Sequence, residues 1–443
     1  MRIAIVTDTY APEVNGVVTA IVTHTRLLAE RGHEILIIAP RYGDFQDEPY
    51  PGIKVERYPA VSFVTNKATR VALPAIASVT RKIRAFDPDL VHVHTPLSLG
   101  VVGLLAAKAL RLPIVQTYHT YIPDFMQYVE ISRLLGIDTL QERVVNSLVF
   151  ERVLASGLWQ RIVRSRALLE TGLDDFVDAW LGISADVAER PPELTARIAW
   201  RYTRLLYNRS DLVLTPSLTL KRELIRHGVT APIDHVSNGI DLTLVTVKQS
   251  YSRTGRLVHA GRLGYEKNVD VVIKAFARAL AHEVDATLDV VGDGPARDSL
   301  ERLVSRLGIG DRVRFVGFVA RDELVQRYHE YDAFLTASTI ETQGIVLLEA
   351  MAAGLPVVGV RALAIPEIVH TGKSGIVVAP GDVQSFARAI ERLEAEDALR
   401  ERMGRAARED VQHHEIGQVV RELEQLYRQT VAAADAAAEA REA

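Results

Sequence analysis

The sequence predicts an α/β protein with two Rossmann-like parallel-sheet domains in series, and three observations lead to this fold class. Short apolar runs typical of strands alternate with helical patterns along most of the chain, as expected of βαβ units. The 443 residues exceed the ~250 to 300 residues at which a single hydrophobic core stops growing. The balance of 48% hydrophobic and 24% charged residues is typical of a globular protein.

The first half contains four strand-like runs and one clear helix before its pattern changes. The runs are IAIVTD, EILIIAP, LVHVHTP and PIVQTYH. The segment VTAIVTHTRLLAERG predicts a helix that ends at Gly32. From Tyr128 to about Tyr202 the pattern is helical, with no convincing strand. This insertion is either an ordinary part of the N-terminal core, or a lid or membrane-contacting element. The second interpretation rests on all three tryptophans of the chain and on a cluster of arginines beside the first of them.

The second half predicts five further strands, each followed by a helix or a turn. They are RLVHAGRL, ATLDVVGDG, RVRFVGF, AFLTAS and PVVGV. The junction between the halves is expected near DHVSNGIDL, where a strand runs into Asn238 and Gly239 and the periodicity then lapses until Arg256. We therefore predict an N-terminal domain over residues 1–240 with a helical insertion at about 128–202, a C-terminal domain over 241–415, and a C-terminal helix with a frayed tail over 416–443.

Composition excludes several classes of chemistry. The chain has no cysteine, which excludes disulfides, thiolate catalysis and cysteine-ligated metals. No GxxxxGK[ST] or HExxH motif is present. The apolar start is shorter than a signal sequence, and the longest apolar run has 11 residues, where a membrane-spanning helix needs ~20. We expect a cytoplasmic protein that does not bind nucleic acid.

The segment ETQGIVLLEA combines two glutamates with an apolar helix. Because this helix is apolar nearly all round, Glu349 should be buried, and a buried carboxylate requires a partner. The partner is either a nearby arginine in a structural ion pair or the vicinal hydroxyls of a ribose. The loop and helix start at Gly344 and Ile345 supply N–H groups suited to a diphosphate. Glu341 would face the group attached beyond the phosphates.

Two cations follow the first strand of the second half, in HAGRLGYEKNVDVVIKAF. Arg262 and Lys267 lie on a short loop that precedes a helix, so they can form a diphosphate clamp that stabilises a departing nucleotide. The alternative is solvated surface charge. The nearby VVGDGPARDSL lacks the G-x-G-x-x-G spacing, and we interpret Gly292–Pro295 as a strand-to-helix turn.

Two positions in the first half also lie where parallel-sheet proteins bind ligands. Gly16 follows the first strand and precedes a helix, so its backbone can approach a ligand closely. His119 ends the fourth strand. His92 and His94 alternate on the third strand, and we interpret them as core or cleft-edge residues because no further metal ligands can be placed beside them.

The E-x7-E spacing of Glu341 and Glu349, together with G-R-L-x-x-E-K-N, resembles the signature of the retaining GT-B glycosyltransferases of family four. The stretch ASTIETQGIVLLEAMAAGLPVVGVRALAIPEIV is similar to the diacylglycerol glucosyltransferases, the monoglucosyldiacylglycerol synthases. The resemblance covers about residues 1–430 except the long helical segment. It implies two domains that face each other across a cleft, the N-terminal one binding the acceptor and the C-terminal one the nucleotide-sugar.

The resemblance also implies roles for individual residues. Glu349 would hold the ribose and Glu341 the hydroxyls of the donor sugar, while Arg262 and Lys267 would take up the charge of the leaving group. His119 would contact the donor sugar near the reacting carbon. Gly16 would approach the donor phosphate and the acceptor, although the family often has two glycines where this chain has Asn15 and Gly16. The remaining donor-binding candidates are Asn238, Gly317, Phe318, Gly344 and Ile345.

These expectations predict a retaining hexosyltransferase that uses a nucleotide-sugar, with UDP-glucose favoured, and a lipid acceptor such as diacylglycerol. Attack would occur on the face that the nucleotide leaves, with no cofactor and no metal. The alternatives are transfer to a soluble sugar or small molecule, or a GDP-mannose-dependent mannosyltransferase. A nucleotide-sugar-binding regulator without turnover and a non-hydrolysing epimerase are further rivals, but an epimerase would leave both motifs unexplained.

Residues 54–86 carry seven basic residues and one acidic residue, interleaved with apolar ones. This pattern suits peripheral contact with an anionic membrane surface, on the inner face of the membrane. The alternative is a solvated helix face.

Overall fold

The computed structural model describes residues 1–63, 66–72, 76–122 and 192–442. The chain divides into two compact units. The N-terminal unit comprises the described residues up to Thr215, Lys221–His235 and those from Glu422 onward, and the C-terminal unit comprises Pro216–Leu220 and Val236–Arg421. Most of the predicted helical insertion at 128–202 lies outside the described residues. Its last part belongs to the helix Pro192–Tyr207.

A seven-stranded parallel sheet forms the core of the N-terminal unit, in the order β3-β2-β1-β6-β7-β8-β9. A separate antiparallel hairpin, β4–β5, follows β3. The strands are β1 Arg2–Val6, β2 Glu34–Pro40, β3 Ile53–Tyr58, β4 Ala60–Phe63, β5 Asn66–Ala72, β6 Leu90–Val93, β7 Ile114–Thr117, β8 Leu212–Thr215 and β9 Ile233–His235.

Helices connect these strands, and side chains explain where two of them begin. The helices are α1 Gly16–Glu30, α2 Ile76–Phe86, α3 Ser98–Leu110, α4 Pro192–Tyr207 and α5 Leu218–Arg226. The Asn15 side chain accepts a hydrogen bond from the Val18 N–H at 2.9 Å and caps α1. The buried Asp8 carboxylate accepts bonds from the N–H groups of Leu99 and Gly100 and from the Ser98 hydroxyl, so it caps α3.

A six-stranded parallel sheet forms the core of the C-terminal unit, in the order β12-β11-β10-β13-β14-β15. Its strands are β10 Arg256–Ala260, β11 Thr287–Val291, β12 Val313–Gly317, β13 Ala333–Leu335, β14 Val357–Val360 and β15 Gly375–Val378. The strand order reverses between β10 and β13. In open α/β sheets, ligands bind outside the carboxyl ends of the strands at this kind of switch point.

The helices of the C-terminal unit alternate with its strands. They are α6 Val269–Ala281, α7 Arg297–Arg306, α8 Arg321–Arg327, α9 Ile345–Ala352, α10 Ile365–Ile368, α11 Val383–Ala395 and α12 Asp397–Asp410. The last helix, α13, runs from Ile416 to Glu442. No helix within the described part of the chain is both long and apolar enough to cross a membrane.

The predicted fold class, two Rossmann-like parallel-sheet domains, is confirmed, and every predicted strand is present. β3, the β4–β5 hairpin, β8 and β15 were not predicted from the sequence. Within the described residues of the basic stretch 54–86, α2 is the only helix. Its apolar residues Val79 and Ile83 are buried, whereas Arg81, Lys82 and Arg84 are exposed. Val79 and Ile83 therefore pack in the core, and the basic residues of α2 face solvent together with Ala77 and Ala85.

Candidate active site

The loop after β10 in the C-terminal unit carries the predicted diphosphate clamp. A 3-10 turn at Tyr265–Lys267 leads into α6, and Asn268 between them adopts a left-handed conformation with φ of 49°. The Asn268 side-chain amide donates to the Ala337 carbonyl at 3.2 Å. This contact ties the loop to the segment that follows β13, across the switch point of the sheet.

Lys267 and Glu341, predicted from separate motifs, form an ion pair at this switch point. The Lys267 Nζ lies 2.6 Å from the Glu341 Oε1, and both side chains are largely buried. Burial is the largest influence and opposes ionisation of Glu341. The charge and hydrogen bond of Lys267, together with the Ser338 hydroxyl, outweigh it, so the pKa of Glu341 lies below its ordinary value. The carboxylate is therefore ionised at neutral pH. Arg262 is half-exposed, and its Nη2 contacts the Glu266 Oε1 at 2.8 Å.

Glycines after β11 allow this loop to pack closely. The Gly261 N–H donates to the Val291 carbonyl and the Leu263 N–H to the Asp293 carbonyl. A Cβ added at Gly292 would lie 1.9 Å from the Gly261 carbonyl oxygen, and its φ of 125° is strained for any other residue. The turn interpreted from VVGDGPARDSL therefore supports the backbone of the clamp loop.

Glu349 is buried on α9, as predicted, with only 2% of its surface exposed. Its Oε1 accepts a hydrogen bond from the Arg321 Nε at 2.5 Å. Burial raises the pKa of Glu349 and the charge of Arg321 partly offsets that rise, leaving the pKa above its ordinary value. The structure thus contains the arginine ion pair that was one of the two predicted partners. Arg321 was not predicted as a functional residue, because it belongs to neither of the two sequence motifs.

Gly344 and Ile345 lie at the start of α9, close to the clamp. Gly344 has a φ of 80°, a left-handed conformation that favours glycine. The preceding Gln343 is buried, and it was also missed in the sequence. Its Oε1 accepts from the Asn238 N–H at 2.8 Å and its Nε2 donates to the Ser237 hydroxyl at 2.7 Å. Asn238 is thereby held against the start of α9.

Gly317 and Phe318 lie at the carboxyl end of β12, on the edge of the same sheet. Gly317 has a φ of 83°, and the Phe318 ring that follows it is 63% exposed. An exposed aromatic ring at this edge offers an apolar surface on which a planar group can stack.

His259 is a buried residue of β10 that the sequence analysis did not select. Its Nδ1 lies 2.8 Å from the Leu335 carbonyl oxygen, so this nitrogen carries the proton. Its Nε2 is buried, with no hydrogen-bond partner within the described ranges. Burial lowers the pKa of His259 to about 4. The imidazole is therefore neutral beside the Lys267–Glu341 pair.

His119 lies in the N-terminal unit, after β7, within a cluster of buried histidines. Its Nε2 is 2.9 Å from the His94 Nδ1. His92 approaches the Tyr427 hydroxyl at 2.6 Å through Nδ1 and the Thr117 hydroxyl at 2.7 Å through Nε2. Burial lowers the pKa of all three histidines, that of His119 to about 3. Both nitrogens of His92 are thus used in protein hydrogen bonds.

Gly16 begins α1 and is exposed. Asn15, where the resembling family often has glycine, caps this helix and donates from its Nδ2 to the Thr9 hydroxyl at 3.0 Å. Trp200, the one tryptophan within the described residues, is buried and stacks on His227 with ring centroids 3.8 Å apart. It is a core residue of the N-terminal unit.

Two Rossmann-like sheets in one chain define the GT-B class, and solved structures agree with this assignment. A sucrose-phosphate synthase from Thermosynechococcus elongatus superposes with a TM-score of 0.69 at 18% identity, over 98% of this chain and all of that one. The Anabaena protein HepE in complex with UDP-glucose superposes with a TM-score of 0.66 at 20% identity, over 97% and 100% of the two chains. These identities establish the fold alone.

Sequence comparison then establishes the family. The model of Glycosyltransferase Family 4 matches residues 14–244, slightly more than half of the chain. The model of glycosyl transferases group 1 matches residues 246–410. The chain therefore belongs to glycosyltransferase family 4.

The names of three relatives refer to three different sugars. An alpha-monoglucosyldiacylglycerol synthase of Streptococcus pneumoniae is 29% identical over 81% of this chain and 70% of its own. A sulfoquinovosyl transferase of Arabidopsis thaliana is 26% identical over 88% and 66%. A GDP-mannose-dependent alpha-mannosyltransferase of Corynebacterium glutamicum is 25% identical over 98% and 90%. This chain thus spans about two thirds of the first two relatives.

Proposed function

We propose that this glycosyltransferase moves a hexose from a nucleotide-sugar, with UDP-glucose favoured, to a lipid acceptor such as diacylglycerol. The C-terminal unit binds the donor and the N-terminal unit binds the acceptor. The ion pair between Lys267 and Glu341 carries the proposal, because it unites two motifs at the switch point of a parallel sheet.

The donor site combines positive charge for the diphosphate with carboxylates for hydroxyl groups. Arg262 and Lys267 bind the diphosphate, and the N–H groups around Ile345 at the start of α9 add a partial positive charge. Glu349 accepts hydrogen bonds from the ribose hydroxyls, and Glu341 accepts them from the donor sugar. Asn238, Gly317, Phe318 and Gly344 complete the donor site.

Transfer retains the anomeric configuration. The bond between the anomeric carbon and the diphosphate oxygen breaks while the acceptor oxygen bonds to the same face of that carbon. The acceptor proton passes to the departing diphosphate. Arg262, Lys267 and the start of α9 balance the charge that develops on this diphosphate, so the reaction requires no metal. His119 contacts the donor sugar and Gly16 approaches the donor phosphate.

The lipid acceptor is supported by one of the relatives reported above. The name of the Streptococcus pneumoniae enzyme, alpha-monoglucosyldiacylglycerol synthase, refers to a glucosylated diacylglycerol. The exposed Arg81 and Arg84 of α2 offer basic charge toward solvent. We propose that this face contacts an anionic membrane from the cytoplasmic side by electrostatic attraction, without inserting apolar side chains.

A GDP-mannose-dependent mannosyltransferase is the second candidate. Its support is the length of the match, because the Corynebacterium glutamicum enzyme aligns with 98% of this chain. The two candidates share the diphosphate and ribose contacts, and they differ in the base, the sugar and the acceptor.

A transfer assay with a matched pair of variants tests the proposal. UDP-glucose and GDP-mannose are each offered with diacylglycerol in anionic micelles or with a panel of soluble sugars. Glycolipid formation by the wild type and its loss in Glu341→Ala, with activity kept in the surface control Glu323→Ala, would support the lipid-acceptor reaction. Transfer only to soluble sugars, or only from GDP-mannose, would replace it by the corresponding alternative.

A further inference from the structure

Glu349 lies in a position that disfavours the ionised form that its proposed role needs. It is 2% exposed on α9, among the buried residues Leu348, Ala350 and Met351. Burial of this kind shifts a carboxyl group toward its protonated form. A protonated carboxyl donates one hydrogen bond and loses acceptor capacity, whereas a carboxylate accepts from both hydroxyls of a vicinal diol. Ribose binding therefore depends on whatever keeps Glu349 ionised.

Arg321 is the group that can do this. It is the first residue of α8, and its Nε contacts only one oxygen of Glu349, Oε1, at 2.5 Å. Within the described part of the chain, no other hydrogen bond to this carboxylate is found and Arg321 has no second acidic partner. The contact thus supplies a full positive charge while it engages a single carboxylate oxygen.

The other ionisable groups near Glu349 do not replace Arg321. Asp322, which follows Arg321 on α8, is acidic and disfavours ionisation of Glu349. The Tyr328 hydroxyl is buried without a hydrogen-bond partner among the described residues, and burial keeps it protonated by raising its pKa well above the ordinary value. Among the described residues, Arg321 is the one cation that forms an ion pair with this carboxyl group.

We infer that Arg321 is a positioning residue of the donor site, which holds Glu349 ionised and oriented through Oε1 so that the carboxylate accepts the ribose hydroxyls. This inference rests on the proposed function. Arg321 acts through Glu349 and makes no contact with the reacting carbon. The opposite arrangement, in which the ion pair competes with the ribose, would make Arg321 an inhibitory residue.

Calorimetric titration of the full chain with UDP and with GDP between pH 6 and pH 9 distinguishes these roles. We expect Arg321→Gln to weaken binding of the preferred nucleotide about 10-fold or more at pH 7, because a hydrogen bond to a charged group is lost. Since the pKa of Glu349 rises further without the arginine, the affinity of this variant should recover as the pH increases. Wild-type affinity should change much less over the same range.

Three further variants separate positioning from a general structural effect. Arg327→Gln removes a similarly exposed arginine on the same helix and should leave nucleotide affinity unchanged. Arg321→Lys keeps the charge, so it should restore most of the affinity and remove the pH dependence, and it keeps the test valid if Arg321→Gln does not fold. In a Glu349→Gln background, Arg321→Gln should cause no further pH-dependent loss.

The outcomes distinguish failure of the inference from failure of the proposed function. Wild-type protein that binds neither UDP nor GDP would refute the proposed donor site. Wild-type protein that binds a nucleotide, and loses affinity for its 2′,3′-dideoxy analogue, would support ribose binding. Tighter binding by Arg321→Gln, or an equal loss at every pH, would then overturn the role of Arg321 alone.

Discussion

At the carboxyl edge of the N-terminal sheet, buried histidines are neutral and bonded to one another or to hydroxyl groups, whereas at the same edge of the C-terminal sheet buried carboxylates are paired with cations. His94 contacts His119 and His92 contacts Tyr427 in the first unit. Lys267 contacts Glu341 in the second. Parallel sheets place both sets by the same rule, so the difference lies in chemistry rather than in fold.

This difference in chemistry agrees with the proposed function. Ion pairs in a buried site exchange partners with a charged ligand, which suits the binding of a diphosphate. Neutral imidazoles offer hydrogen bonds without net charge, which suits sugar hydroxyls. Substitution of one group at a time in each unit tests whether the two edges differ in function as they differ in chemistry.

Removal of the lysine from the C-terminal edge should have the largest effect. Lys267→Ala should lower kcat about 100- to 1,000-fold, because it removes a preorganised cation from the leaving group. Lys274→Ala, which removes a lysine from a solvent-exposed pair with Asp270 on α6, is the matched control and should keep full activity. Steady-state kinetics of both variants are measured with the donor that the transfer assay identifies. Equal activity of the two variants would contradict the proposed role of Lys267.

A buried carboxylate in the N-terminal unit should instead affect stability. Asp8→Ala leaves the N–H groups of Leu99 and Gly100 without their acceptor. We expect a loss of about 2 to 4 kcal/mol in the free energy of unfolding, measured by urea denaturation. Asp44→Ala, at an exposed position, serves as the control. A loss below 0.5 kcal/mol in Asp8→Ala would show that the cap is dispensable.

The neutral histidines predict a pH dependence of stability. Because burial lowers the pKa of His92 in the folded state, only the unfolded state takes up its proton between about pH 7 and pH 5.5. Stability should therefore fall as the pH falls through this window, by about 1 kcal/mol for each such histidine. His92→Gln should show a smaller fall than wild type in urea denaturation at both pH values. An identical fall in both proteins would show that residues other than His92 account for the proton uptake on unfolding.

The smallest expected effect concerns the exposed charge of α2. Arg81→Glu with Arg84→Glu should reduce binding to vesicles of phosphatidylglycerol, at about 1 kcal/mol for each lost charge near the surface, in a sedimentation assay at low salt. Arg302→Glu with Arg306→Glu on α7 is the matched charge reversal in the other unit. Equal binding by all variants, or no binding by wild type, would contradict membrane contact through α2.

Periodic elements and linear motifs were predictable from the sequence. β1, β2, β6 and β10 are buried runs bounded by turn residues, which explains why their strand pattern is clear. β15 was not predicted because it has only four residues, GIVV, directly after a turn, and so short an apolar run is not a distinct strand signal. β3 and the β4–β5 hairpin, which lie in or next to the basic stretch 54–86, were not predicted because charged residues obscure the alternation of apolar and polar positions. In β3, for example, most residues are only partly buried.

Contacts between distant residues were not predictable in the same way. The E-x7-E spacing indicates that Glu349 needs a partner, but the arginine that contacts it lies 28 positions earlier in the chain. Likewise, the role of Gln343 in holding Asn238 is visible only in the tertiary structure, because the two residues are 105 positions apart in the sequence.

The sequence by itself determined the fold class, the two-sheet organisation and the motifs that identify a glycosyltransferase, because these depend on local periodicity and on residue types at short spacing. The tertiary structure decided which side chains meet at the switch point and which stay charged there. The physical reason is that a side chain's pKa and partner depend on burial and on charges a few ångströms away, and parallel strands bring together residues that are far apart along the chain.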